Sequence, residues 1–314
     1  MGTLTNSEWP GALTPDGTDH WIHARELFHA AGESFDLAIP ELDLPRGRLT
    51  ALIGANGSGK STLLGLVTGT RKLHGGRLSL DGTTGTGLRD RNRIGVQLQD
   101  AGFNPHYRVR QIRELHRAAY PVSEDAEFER FGVPEIGNRR YAQLSSGQHQ
   151  RLHLALALAH RPQLALFDEP TSNLDPQYEA RFIAALHEAR TRDAGFSALF
   201  VTHAAAVVEA CDDVLMLANG RVEVLDDKNV LVERSFGRLG ARFEGEVDAL
   251  DPIEAALREV PQVRRMVRVD GRLTVYGGAE LRATVQALAA AADLARFAVW
   301  RTGAADILES LNHE

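Results

Sequence analysis

A single cysteine, Cys211, stands among the 314 residues. It excludes an internal disulfide and reads as a small buried apolar residue of a reducing compartment. No apolar run reaches the ~18 residues that a membrane-crossing helix needs. A net charge of −7 leaves no general basic surface, which argues against nucleic acid or anionic lipid as a partner. The opening stretch MGTLTNSEWPGALTPDGTD has neither a basic start nor an apolar segment of signal-peptide length, so the chain is expected not to be exported. Residues 1–20, rich in Gly, Pro, Thr and Asp, are expected to be a flexible leader without function. Repeats, heptad arrays and low-complexity tracts are also missing.

What is present is core-forming material, 43% hydrophobic against 25% charged, enough for a large domain and a small one. From FDLAIPELDL onward, short apolar strands (LTALI, RLSL, RIGVQL, LALF, SALFV) alternate with helical text, the pattern of an α/β fold. Between Arg108 and Tyr141 the strands stop and amphipathic stretches such as VRQIRELHRAAY predict a helical insertion, placed at about residues 100–160. The large domain is expected over 21–235 and a small α+β domain over 236–314. In the latter, MVRVDGRLTVY folds about Asp270-Gly271, a two-residue hairpin signal, and is followed by a helix from about Glu280 to Ala292 and the strand ARFAVW.

GANGSGKST, Gly54 to Thr62, matches G-x-x-x-x-G-K-[ST] between an apolar strand and a helix. Gly54, Gly57 and Gly59 let the loop turn its N–H groups inward, with Asn56, Ser58 and Thr62 completing the loop. The helix start adds partial positive charge, Lys60 adds a full one, and Ser61 offers a hydroxyl to Mg²⁺. The segment is expected to hold a nucleotide. LALFDEP, Leu164 to Pro170, is an apolar strand ending in two carboxylates, Asp168 for a metal and Glu169 for an attacking water. A capped helix start would also explain that acidic pair in isolation. A second polar, glycine-bearing stretch, LSSGQ, precedes another helix, where Ser145 or Ser146 suits an N-cap.

In this order and spacing the phosphate loop, LSSGQ and LALFDEP resemble the nucleotide-binding subunit of an ATP-binding cassette (ABC) transporter over roughly residues 22–230. The resemblance implies a P-loop NTPase core with a helical subdomain, ATP and Mg²⁺ as ligands, and head-to-tail pairing with a second ATPase copy. In such a pair, Ser145, Ser146, Gly147 and Gln148 cap the nucleotide held by the partner's loop; Ser146 replaces the first glycine of the usual pair. By the same resemblance Gln99 contacts Mg²⁺ or water, with Gln97 as its competitor. Asp175 lies in the loop that communicates across the dimer, although Asp175 before Pro176 is also a good helix cap. His203 reaches the γ-phosphate, and Phe28, ahead of Phe35 and Trp21, stacks on adenine. His149, His153 and His160 form no metal set and read as surface or helix-packing residues. With no membrane span visible, the translocation path is expected on a separate permease, which places this chain in the cytoplasm, peripheral on the inner face of the membrane. The tail ending AADILESLN and the stretch DAGFNPHYRVRQIREL resemble bacterial ABC-2-type multidrug and antibiotic exporters, so export of a drug, antibiotic or lipid-like compound is expected. A soluble ABC ATPase acting on ribosomes or DNA is the alternative.

Overall fold

The computed structural model describes residues 20–30, 36–80, 83–84, 91–99, 101–120 and 122–311. Residues 1–19 of the expected leader and Phe35 therefore lie outside the described residues. The chain divides into two compact units between Asp226 and Asp227.

The first unit opens with two long antiparallel strands, β1 (His20–Ala30) and β2 (Asp36–Pro45). The fully buried β3 (Leu49–Ile53) runs through the phosphate loop into α1 (Lys60–Thr68). Next come β4 (Gly75–Leu80) and β5 (Thr83–Thr84), which complete a sheet of order β2-β1-β4-β5. After β6 (Ile94–Gln97) the predicted insertion appears as α2 (Val109–Ala119) and α3 (Asp125–Arg130), leading to α4 (Ser146–Leu158). The remainder alternates β7 (Leu164–Asp168), α5 (Pro176–Arg192), β8 (Ser197–Val201), α6 (Ala205–Ala210), β9 (Asp213–Ala218) and β10 (Arg221–Asp227). The second sheet has the order β10-β9-β3-β8-β7-β6, parallel from β9 to β6.

Leu63, Leu64, Leu66 and Val67 of α1 share one core with Leu27, Leu37 and Leu78 of the first sheet and Leu166, Leu199 and Leu215 of the second. The helix is therefore apolar nearly all round, as a helix buried on several sides must be. Phe167 and Phe200 stack at 5.2 Å between neighbouring strands, with Phe182 of α5 edge-on to both. β1 is a strand the sequence reading passed over, because HWIHARELFHA carries three histidines and a charged pair that mask its alternation. His23 and Arg25 are half-buried and meet Asp43 of β2, whereas His20 and His29 are buried.

The second unit contains α7 (Lys228–Phe236), β11 (Leu239–Glu244), α8 (Val247–Arg258), β12 (Val263–Val269), β13 (Arg272–Gly277), α9 (Leu281–Ala291), β14 (Arg296–Arg301) and α10 (Ala304–Leu311). Its antiparallel sheet has the order β12-β13-β11-β14. From β11 to β14 this is the split βαβ arrangement, β-α-β-β-α-β. Leu250, Ile253 and Leu257 of α8, with Leu281 and Val285 of α9, cover one sheet face through Phe243, Leu273 and Val275. The unit begins earlier than the expected residue 236 because α7 belongs to it. Asp227 caps α7 by accepting from Asn229 N and Val230 N, and Phe236 at its end packs edge-on against Tyr276 at 5.0 Å.

Candidate phosphate-binding site

The site forms where β3, β7 and β8 end, at the C-terminal edge of the parallel strands, where α/β sheets place their ligands. The loop after β3 turns on Gly54, whose φ of 148° and close approach to the chain admit no side chain, since a Cβ there would lie 2.1 Å from Leu217 O. Beyond the loop α1 begins at Lys60, so the N–H groups of Lys60, Ser61 and Thr62, which have no partner one turn back in the helix, face the cavity. Lys60 is buried and folds back over the loop, its Nζ donating to Gly54 O at 2.7 Å and to Ala55 O at 3.0 Å. Burial holds its ammonium below the usual lysine range, against the opposing pull of Glu169 and Asp168.

On the opposite wall, β7 delivers Asp168 and then Glu169, whose φ is 48° and whose N–H donates to Val201 O of β8 at 2.8 Å. That left-handed turn carries the Glu169 side chain off the strand and into the cavity. Its Oε1 lies 3.8 Å from Nε2 of His203, which follows β8. Burial raises the Glu169 carboxyl above the usual glutamate range, opposed by the His203 backbone and the Lys60 charge. Burial, then Lys60, lowers His203, so the imidazole is neutral near pH 7 and the 3.8 Å contact is not an ion pair there.

Asn56, Gly57, Gly59, Lys60, Ser61 and Thr62 line a cavity of about 740 Å³ together with Gln99, Asp168, Glu169 and His203. The sequence motifs thus converge, although they are separated by more than a hundred residues. The two competing glutamines divide. Gln99 lines the cavity, whereas Gln97 is buried and its amide pairs with the backbone of Asp168, donating to O at 3.0 Å and accepting from N at 3.2 Å. Ser58 is buried, and its Oγ has no hydrogen-bond partner among the described residues.

Ser145, Ser146, Gly147, Gln148 and Asp175 do not line this cavity. Ser145 caps α4 in a reciprocal box with Gln148: Gln148 N donates to its Oγ at 3.3 Å and Ser145 N donates to Gln148 Oε1 at 3.1 Å. Gly147 lies against Asn173, where a Cβ would come within 2.7 Å of its carbonyl. One turn further along α4, Gln150 Nε2 donates to Glu169 O at 3.2 Å and to Pro170 O at 2.6 Å. The LSSGQ helix is therefore fastened behind the chain's own acidic pair and presents Ser145 to Gln148 away from the chain's own cavity. Asp175 caps α5, accepting from Gln177 N and Tyr178 N at 3.1 Å.

Phe28, the residue expected to stack on adenine, does not line this cavity. Phe28 is an exposed residue of β1, opposite Ala38 and Gly75, and no Phe, Tyr or Trp among the described residues lines the cavity. Trp21 is buried beneath Arg46 and donates its indole N–H to Gly195 O. His149 and His153 pack around Tyr141, and His160 stacks on Tyr120 at 4.1 Å.

Arg71 is a lining residue that no motif announced. Its stem lies against Gly65 of α1, where a Cβ would meet Arg71 Cγ at 2.8 Å and Cδ at 2.9 Å. A glycine inside an otherwise apolar helix was the available signal, since such a residue marks close approach. Arg71→Gln is expected to weaken Mg·ATP binding by about two- to fivefold, the range of one exposed charge contact. Gly65→Ala, by displacing the stem, is expected to do the same, and equilibrium titration of both variants checks this.

A family model described as ABC transporter matches residues 37–172. The aliphatic sulfonates import ATP-binding protein SsuB of Cupriavidus necator is 34% identical over 246 residues, covering 77% of this chain and 80% of that one. SsuB of Ralstonia nicotianae is 38% identical over 215 residues, 67% of this chain and 73% of its own. The sulfate/thiosulfate import ATP-binding protein CysA of Synechocystis is 33% identical over 226 residues, and this match spans only 63% of that relative's length. Among solved structures, a dimeric ATP-binding cassette in a post-hydrolysis state with ADP and Pi is similar, with a TM-score of 0.56 at 25% identity over 66% of this chain and 98% of that one. These relatives are named for import, so they do not support the expected likeness to drug exporters. That expectation rested on the tail ending AADILESLN and the stretch DAGFNPHYRVRQIREL, and the ATP-handling motifs could not correct it, because ATP is handled alike whichever way a cargo moves.

Proposed function

This chain belongs to the ABC transporter family as an ATP-binding subunit, and we propose that it binds and hydrolyses Mg·ATP to drive transport through a permease on a separate chain. The observation that carries this reading is the single cavity shared by Lys60, Gln99, Asp168, Glu169 and His203. Its donor set fits the ligands: a cationic loop at a helix start suits phosphates, and the oxygens of Ser61, Gln99 and Asp168 are the hard ligands that suit Mg²⁺. When bound, Mg²⁺ neutralises charge on the phosphate oxygens. Glu169, ionised, accepts a proton from a water whose oxygen bonds to the γ-phosphorus as the bond to the β-phosphate oxygen breaks, releasing ADP and phosphate. Neutral His203 and cationic Lys60 hold the oxygens on which charge collects.

The acid limb of turnover follows from this assignment. Only ionised Glu169 accepts the proton, and burial raises its pKa, so kcat is expected to rise with pH through a midpoint above the ~4.3 of an exposed glutamate. A pH–rate profile with its midpoint at or below that value removes Glu169 as the base.

Because Ser145, Gly147 and Gln148 face away from the chain's own cavity, they serve a nucleotide held by a second copy, and closure of the pair is the power stroke passed to the permease. No helix among the described residues is long and apolar enough to cross a membrane, consistent with a path on another chain. We read the direction as import and the cargo as a sulfur oxyanion, supported by the relatives named for sulfate, thiosulfate and aliphatic sulfonates.

Affinity purification of the tagged chain from mild-detergent extracts is expected to bring down a polytopic membrane protein. Ribosomal or DNA-bound partners without one would overturn the transport reading. In cells carrying Glu169→Gln, uptake of labelled sulfate or of an alkanesulfonate is expected to fall; unchanged uptake of both overturns the direction and cargo.

A further inference from the structure

The second unit covers one face of its sheet with α8 and α9 and leaves part of the other open. On that open face the register sets Arg265 beside Tyr276, Val267 beside Thr274 and Arg242, and Val269 beside Arg272. On its other side Tyr276 pairs with Gly240, and that row is closed over. Trp300 lies across Gly240, where a Cβ would meet its ring at 2.4 Å, and its indole N–H donates to buried Asp306 of α10 at 2.9 Å. What stays open is a cavity of about 300 Å³ within this unit, the lower end of the range for small-molecule sites.

Its floor is Val267, Val269 and Thr274, and Phe236 forms an apolar wall. Around this surface stand the guanidiniums of Arg242, Arg265 and Arg272, against the carboxylates of Asp270 and Glu309, and Arg272 Nε also pairs with Glu244 at 3.4 Å. Arg242 is fixed in place: Nε donates to Thr274 Oγ1 at 3.3 Å, NH2 pairs with Glu309 at 2.5 Å, and the guanidinium lies 5.4 Å from the Trp300 ring. Arg265 extends over the Phe236 ring at 5.7 Å. Preset, forked cations above an apolar floor match a planar or tetrahedral oxyanion on a short apolar body.

We propose that this cavity binds a small organic oxyanion, with a carboxylate, phosphate or sulfonate head held by Arg242, Arg265 and Arg272 and an apolar body on Val267, Val269 and Phe236. The site lies wholly in the second unit and does not rest on the transport reading.

The test uses the full chain saturated with Mg·ADP, so that the phosphate loop is occupied, and titrates hexanoate, hexyl phosphate and hexanesulfonate by calorimetry and by Trp300 fluorescence. At least one of the three is expected to bind saturably, one per chain, and which one binds identifies the head group. Arg265→Gln with Arg272→Gln is expected to weaken it tenfold or more, the effect of losing charge-assisted hydrogen bonds. Val267→Phe, which fills the floor and keeps all three arginines, is expected to do the same and decides the matter if the arginine pair proves unstable. Trp300→Phe is expected to abolish the fluorescence change and leave the heat of binding. Three outcomes overturn the proposal: no saturable binding of any of the three anions, equal affinity in the variants, or hexanol binding as tightly as the anions.

Discussion

Glu169→Gln is expected to lower kcat for ATP hydrolysis by two to four orders of magnitude, on the order of what a positioned general base contributes, while nucleotide affinity stays within a few-fold. The substitution keeps the shape of the side chain. It also keeps the main-chain links that place residue 169, namely its N–H to Val201 O and its carbonyl accepting from Gln150 and from Ser172 Oγ. What it removes is proton acceptance at the atom that lies 3.8 Å from His203 Nε2. Phosphate release under saturating Mg·ATP measures the loss, and a paired, ATP-bound species in sedimentation is the accompanying result. Turnover within tenfold of wild type would mean that the proton leaves by another route.

A comparable effect on stability is expected at the base of the same sheet. Asp213 opens β9 with no exposed surface, and Arg48, just before β3, holds it with two donors, Nε to Oδ2 at 2.5 Å and NH2 to Oδ1. Arg48→Met leaves the carboxylate buried without its guanidinium, and breaking a buried pair from one side costs about 3–5 kcal/mol. Arg48→Met combined with Asp213→Asn is expected to recover part of that loss, because the uncompensated charge, not the missing contact, dominates it. Denaturant midpoints of the two variants measure the difference; a single-variant loss under about 1 kcal/mol would assign the fastening of β3 to β9 to the ladder and the apolar core.

Asp212 shows how closely the two carboxylates at this junction differ in kind. It accepts from Leu49 N at 2.9 Å and from Arg190 at 3.1 Å on the partly exposed side, so its pair with Arg190 is the weaker, screened sort.

The features legible in the sequence are those whose physics is local. Gly54 to Thr62 needed only an apolar strand before it and a helix after it to be read as a phosphate loop, because the backbone conformation and the helix start that bind phosphate are properties of nine consecutive residues. The same is true of Asp270-Gly271, both at positive φ in the hairpin between β12 and β13, and of the α9 helix after it. β1, α7 and α8 escaped notice for local reasons too: histidines and charges obscured the alternation of the first, and Pro252 interrupts the text of the last.

Tertiary structure decided everything that depends on which distant residues meet. Gln97 and Gln99 are two residues apart, and only the family resemblance favoured Gln99; the packing of β6 on β7 seals Gln97 against Asp168, while Gln99 lines the cavity. Arg71 reaches the cavity only because Gly65 leaves room one helix face away. The sequence reads LSSGQ as a helix cap, and only the contacts of Gln150 and Gly147 fasten it behind Glu169. Motifs report the conformation of a contiguous segment, whereas the choice of neighbours is made by a core in which all the segments must fit at once.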